Sequence, residues 1–345
     1  MELEKVREII KNAVLTPHKR RKVRREILNL VCAFDIETTN IIIKEEINAF
    51  MYIWQCSINN DIVITGRTWE EYEALCNVIN EECEQIKNER GLKEKPLLIM
   101  YVHNLAFEFQ FLSGIFDFEP EDVFLRAARK PIYARTGCIE YRCSYIHSNM
   151  SLEKFCESMG VENKKLSGQE FDYQKKRYPW TELTEKELAY CTTDVTCLVD
   201  CLKKEMQKDE DNLITIPLTS TGYVRRECYN ALKPVMKKIQ AILPGIDEYK
   251  LLRKAFRGGN THANRYYAGK IIENVTSYDR SSSYPDVILN CKFPMSAFEK
   301  SENPSFDNLI KKIKIRKRAC IARIALHNVK LRDSFWGFPY LTIDK

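Results

Sequence analysis

Two short apolar runs leave few choices of fold. Residues 27–34 (ILNLVCAF) are rich in strand formers, and residues 95–102 (KPLLIMYV) read as a buried strand. Residues 50–58 and 61–65 predict two more strands, with Asn59, Asn60 and Asp61 as their turn. Between these strands and the second run, residues 69–90 carry Tyr72, Leu75, Cys76 and Ile79 at helical spacing. Residues 107–116 predict a helix, 132–136 and 139–143 strands about Gly137, and 162–180 a polar, basic loop. Residues 184–208 predict one long helix, opened by a capping box of Thr184 and Glu187. Strands that come first and then alternate with helices imply an α/β domain over 31–212. Residues 219–242 predict further helix, broken at Pro244-Gly245, with strand-like segments from Val275 onward.

Composition excludes two classes. With 44% hydrophobic residues the chain can form a core, so disorder throughout is ruled out. No 18-residue apolar stretch predicts a membrane span, and residues 1–12 are too charged for a signal peptide. The expected location is cytoplasmic, with no membrane partner. Thirteen cysteines without a Cys-x-x-Cys pair, beside five histidines, predict reduced buried thiols instead of a zinc module. Residues 1–30 hold nine Lys+Arg against four Asp+Glu, most of the net charge of +6. This basic N-terminal extension includes KRRKVRR at 19–25, and a second basic run, KKIKIRKR, lies at 311–318. Each run has the charge to meet phosphates. The alternatives are a solvated helix face for the first and an alternating strand for the second.

The acidic residues form a pattern. Asp35 and Glu37 follow the first apolar run two residues apart, so on a strand they face one side, with Ile36 turned to the core. Paired carboxylates repel unless a cation lies between them. Thr38 follows and can bond a ligand or cap the next turn. His103 and Asn104 follow the second run; Asn104 is a candidate helix N-cap, with Phe107 and Glu108 in the first turn. Tyr190 and Asp194, four apart in the long helix, share a face. Together these residues are the supply needed for two divalent cations, Mg²⁺ or Mn²⁺, which take oxygen ligands. The reaction implied is phosphodiester hydrolysis, with Tyr190 orienting the water.

The motifs FDIET, HNLAFEF and YCTTD resemble the three exonuclease motifs of family B DNA polymerases, in order, and most resemble the protein-primed bacteriophage group. The resemblance implies a 3′–5′ proofreading exonuclease of RNase H-like fold, a mixed sheet with flanking helices. It implies Asp35, Glu37 and Asp194 as metal ligands, and Glu108 is expected with them as a catalytic, metal-holding carboxylate. It implies Thr38, His103, Asn104, Phe107, Ser151 and Leu152 as contacts to a single-stranded 3′ end, and Lys165 or Lys164 as a catalytic-loop lysine. The second motif usually has Asp where this chain has Glu108. The extra methylene lengthens its reach by about 1.5 Å, which predicts weakened hydrolysis.

Further on, Phe256-Arg257-Gly258-Gly259 is similar to the Y-x-G-G template-binding motif of that family, within a helical connector over 213–274. Its Arg257, Gly258 and Gly259 are expected to hold DNA. Asp279 to Pro285 resembles D-x-x-S-L-Y-P, the first polymerase palm motif, with Ser283 in place of Leu. By that resemblance Asp279 is catalytic and holds metal, while Ser282 and Tyr284 bind the incoming deoxynucleotide. Residues 275–345 then begin an α+β palm. No Y-x-D-T-D-S run follows Asp279, and one Asp cannot organise two-metal phosphoryl transfer. The expected protein is therefore the N-terminal part of a phage or prophage replicative polymerase in the bacterial host cytosol. Its implied partners are primer-template DNA and a terminal protein primer. The alternatives are a stand-alone 3′–5′ exonuclease and a non-catalytic DNA-binding module.

Overall fold

The computed structural model describes residues 2–16, 25–162, 175–256, 267–301, 304–316, 318–325 and 327–328. Lys164, Lys165, Arg257, Gly258, Gly259 and all of the first basic run except Arg25 lie outside these residues. The chain divides into two units, Met1–Asn230 and Ala231–Lys345.

The first unit is built on a seven-stranded mixed sheet of order β3-β2-β1-β4-β7-β6-β5. The strands are β1 (Ile27–Ile43), β2 (Glu46–Ile58), β3 (Ile62–Gly66), β4 (Leu97–Val102), β5 (Val123–Ala127), β6 (Lys130–Thr136) and β7 (Ile139–Cys143). The central pairs β1–β4 and β4–β7 are parallel, and the outer pairs are antiparallel. Strand alternation divides the core. Leu28, Leu30, Cys32, Phe34 and Ile36 enter one cluster, whereas Ile27, Val31 and Ala33 enter the other. Helices α1 (Leu3–Asn12), α2 (Trp69–Arg90) and α3 (Leu105–Leu112) supply side chains to the first cluster. Helices α5 (Leu152–Met159) and α6 (Glu185–Lys208) supply the second, and the short α4 (Ser144–Ser148) precedes them. A sheet covered on both faces explains why its central strand, β4, is apolar throughout.

The structure alters several expectations. β1 does not end at Asp35 but runs to Ile43 and pairs with β2 as a long ribbon. Its turn uses Lys44 and Glu45 at positive φ, a geometry without the usual Asn or Gly signal. The predicted helix 107–116 is shifted to Leu105–Leu112. The N-terminal segment, expected as an extension, places Val6 and Ile10 fully inside the core, and Arg7 pairs with Glu81 and Glu82 of α2. Ten of the thirteen cysteines are buried and none is in a disulfide, as expected of reduced thiols. Among the described residues, no helix is long and apolar enough to cross a membrane.

Helix α7 (Ser220–Leu232) reaches the division between the units. The second unit then contains α8 (Met236–Ala241), α9 (Ile246–Ala255), α10 (Ser283–Asn290) and α11 (Phe306–Lys314). Strands expected from Val275 onward are not found among its described residues. Residues 275–278 are exposed, and among the described residues they have no neighbouring strand to pair with; a strand needs that partner for its hydrogen bonds. The second basic run is helical through Lys314. Phe306, Leu309, Ile310 and Ile313 recur at helical spacing, and that period prevails over the local alternation of KIKIR.

At the far edge of the sheet, Gly66 lies opposite Trp54. The Trp54 side chain is fully buried, and its Nε1 donates to the Thr68 carbonyl at 2.8 Å. A Cβ on Gly66 would overlap the indole ring. Gly66→Ala is expected to destabilise the chain by about 1–3 kcal/mol through overpacking. A lowered urea midpoint with unchanged slope would check this.

Candidate metal centre

Asp35 and Glu37 are odd-numbered positions of β1, so they project on the face that α6 covers. Tyr190 and Asp194 lie one turn apart on the buried side of α6. The two elements bring one carboxylate oxygen each from Asp35, Glu37 and Asp194 within 4.8 Å of one another. An octahedral Mg²⁺ holds oxygens at about 2.1 Å, hence about 3–4 Å apart. The three carboxylates fit a hard cation in chemistry, and their oxygens are gathered close enough for small side-chain shifts to bring them onto one ion.

A break in register shapes this site. Glu37 pairs with Ile53, but Thr38 pairs with Met51, so Tyr52 is the extra residue of a bulge on β2. Bulges re-aim side chains. Tyr52 packs with Ile53, Tyr190 and Cys191 in a small core of its own. Its carbonyl accepts a bond from Arg67 Nε at 2.7 Å, and Arg67 Nη2 also donates to the Tyr178 and Thr181 carbonyls. Arg67 thus ties the bulge to the segment that leads into α6. Nothing in the local sequence signalled Arg67, because its acceptors are backbone carbonyls from distant segments.

Negative charge converges here. Burial, then the charges of Glu37, Asp35 and Asp194, push the Cys191 thiol up. Burial, followed by Asp35 and Glu37, holds the Glu108 carboxyl well above the usual carboxylate range. Glu108 is 4% exposed, and its Oε2 has no hydrogen-bond partner. It adjoins the three-carboxylate cluster without entering it. A raised folded-state pKa means that stability falls as pH rises above the unfolded value, because the folded state resists ionisation. Glu108→Gln is therefore expected to raise the metal-free Tm at pH 7, by a margin that shrinks as pH falls toward 4.5. A thermal melt series across pH in EDTA measures it, and an unchanged Tm at pH 7 counts against this account.

The other expected site residues have mixed placements. Thr38 is half-buried just past the bulge. Asn104 occupies the N-cap position of α3 but makes no side-chain cap; its backbone is left-handed at φ 75°, which Asn tolerates. His103 Nδ1 lies 3.1 Å from Ser144 Oγ. Phe107 is half-buried, with its ring edge against Phe111. Ser151 caps α5 and is exposed, whereas Leu152 is 5% exposed inside the core, so only Ser151 of that pair faces outward. In the second unit Asp279 is exposed. There Ser282 is the left-handed N-cap of α10, and Tyr284 is 76% exposed in its first turn. Sequence reasoning missed Gln55, which lies opposite Asp35 on β2 and donates to its Oδ2 at 2.7 Å.

The family model described as DNA polymerase type B, organellar and viral, matches residues 135–331, more than half of the chain. The chain belongs to this family. The matched residues of this type B polymerase include Tyr190 and Asp194 of α6 and the run from Asp279 to Pro285; Asp35, Glu37 and Glu108 precede them. Among solved structures, the chain is similar to Phi29 DNA polymerase complexed with primer-template DNA, with TM-score 0.50 and 17% identity. The match covers 69% of this chain and 41% of that one. Phi29 DNA polymerase complexed with single-stranded DNA gives TM-score 0.49 at 17% identity, with the same coverage of both chains. This type B polymerase chain thus spans about two-fifths of the length of those structures and shares the α/β fold of the part it matches. Comparison with curated proteins gives no match.

Proposed function

We propose that residues 31–212 are the two-metal 3′–5′ proofreading exonuclease domain, RNase H-like in fold, of a phage-type replicative DNA polymerase. Residues 275–345 begin its palm. The observation that carries this reading is the convergence of Asp35, Glu37 and Asp194 within 4.8 Å in a chain of the type B polymerase family. Those three carboxylates would hold the ions. When bound, Mg²⁺ or Mn²⁺ supplies an activated water and stabilises the leaving oxygen.

The chain's own groups do the rest. Tyr190, nearly buried beside Asp194, orients the attacking water. Phe107 offers a half-exposed ring for base stacking, and Thr38, His103, Asn104 and Ser151 hold the single-stranded 3′ end. Lys165 and the loop of Arg257, Gly258 and Gly259 keep the roles that the family resemblance gives them. Asp279, Ser282 and Tyr284 serve the deoxynucleotide site of the palm. Synthesis is not expected from this chain alone, since it lacks a second palm carboxylate motif. Primer-template DNA and a terminal protein primer complete the partners, in the host cytoplasm.

Digestion of a 5′-labelled single-stranded oligonucleotide with Mg²⁺ or Mn²⁺ tests the reading. A ladder shortening from the 3′ end, absent for Asp35→Ala, is expected. No shortening by the unsubstituted chain sinks it.

A further inference from the structure

Gln55 is the one amide in the buried stretch of β2. Residues 51–58 (MYIWQCSI) are all buried, and Gln55 is 0% exposed. Its side chain makes one hydrogen bond, from Nε2 to Asp35 Oδ2 at 2.7 Å, across the register pair Asp35–Gln55. The orientation of the amide is set by chemistry. A carboxylate only accepts, so the nitrogen faces Asp35 and Oε1 is left buried without a partner. An apolar residue would fill this position without that orphaned acceptor. The amide thus sits there at a cost to folding, and among the described residues the group it bonds is the Asp35 carboxylate.

We infer that Gln55 is a positioning residue for the metal centre, fixing the rotation of the Asp35 carboxylate. The amide takes up one lone pair of Oδ2, on a carboxylate that has an oxygen within 4.8 Å of one each from Glu37 and Asp194. Holding that rotation before the cation arrives spares the site the ordering of a free carboxylate on binding. Both residues sit on paired strands and not on loops, so the geometry is rigid. The inference rests on the metal-site reading above, and its test separates the two.

The test is Mn²⁺ titration of the DNA-free chain followed by electron paramagnetic resonance, comparing Gln55→Met with the unsubstituted chain. Gln55→Met keeps the shape and removes the donor. Loss of a residue that orients a metal ligand typically costs about 10–100-fold in metal affinity, and a weakening of that size is expected here. A Tm in EDTA that is unchanged or raised would show that the change is not a folding defect. On the labelled oligonucleotide, kcat is expected to fall about 10–100-fold with KM unchanged. Should Gln55→Met not fold, Gln55→Leu, also without a donor, takes its place. Equal Mn²⁺ affinity in variant and unsubstituted chain overturns the positioning role and leaves the nuclease reading standing. No Mn²⁺ binding by the unsubstituted chain overturns both.

Discussion

Asp194→Asn is expected to lower the rate of 3′-end hydrolysis roughly 1000-fold, about 4 kcal/mol of transition-state stabilisation. The side chains are nearly isosteric, so packing around a residue that is 7% exposed is kept. What changes is the charge on one of three carboxylates within 4.8 Å. An amide binds a hard cation more weakly than a carboxylate does. The same substitution should not reduce metal-free stability, because it relieves repulsion from Asp35 and Glu37. Added Mn²⁺ should raise the Tm of the unsubstituted chain, as any ligand of the folded state does, and should do so far less for Asp194→Asn. Activity loss together with lost Mn²⁺ stabilisation marks a metal ligand. Activity loss with a lowered metal-free Tm would instead mark a folding defect and count against the assignment.

Glu187→Leu is expected to destabilise the chain by about 3–5 kcal/mol, the usual result of breaking a buried pair from one side. Glu187 Oε1 accepts from Arg177 Nε at 2.9 Å and Nη2 at 2.7 Å, and from Lys175 Nζ at 3.0 Å. Oε2 accepts from the Thr184 backbone N–H at 2.8 Å, completing the capping box of α6. Arg177 is 3% exposed, and removing Glu187 takes away the carboxylate that its Nε and Nη2 both bond. Burial raises the Glu187 carboxyl, but the Thr184 backbone, Arg177 and Lys175 outweigh it and hold the group at about 2, against an ordinary 4.5. A depressed carboxylate contributes stability that is present above the unfolded value and lost as pH falls through the folded one. The deficit of Glu187→Leu should therefore be full at pH 7 and shrink between pH 4.5 and 2. Urea unfolding at pH 7 and pH 3 measures it. An equal deficit at both pH values would mean that the ion pair is not its source.

These two substitutions act on the same helix, so they separate what α6 does from how it is held. Asp194 projects into the acidic cluster, whereas Glu187, two turns earlier, locks the start of the helix to Arg177. A helix free at that end would leave Tyr190 and Asp194 less well placed against β1. Glu187→Leu should accordingly lose some activity together with stability, unlike Asp194→Asn.

Much of this arrangement was legible from local pattern. The pairing of Asp35 with Glu37 follows from strand period two, and that of Tyr190 with Asp194 from the helical turn. The capping box of Thr184 and Glu187 and the turn at Asn59-Asn60 were equally local. Each depends on residues within four positions of one another, and side-chain chemistry at that range hardly depends on the rest of the chain. The misreadings share the opposite cause. β1 outran its apolar segment because pairing with β2 satisfied backbone groups that composition does not reveal. α1 was read as a basic extension because its two core residues, Val6 and Ile10, find their partners on α2. A strand was expected from Val275 where no neighbouring strand exists among the described residues of that unit.

The residue types at the acidic site and their order along the chain were thus settled by sequence alone, as was the α/β class, because both rest on short-range periodicity and on the chemistry of carboxylates. Only the tertiary structure decided that Asp35, Glu37 and Asp194 lie within reach of one ion. It alone set Gln55 against Asp35 and made Tyr52 the bulge residue that Arg67 clasps. The physical reason is that these relations depend on strand register and on which helix covers which face of the sheet. Both are fixed by packing between residues far apart in sequence, a balance to which no local window has access.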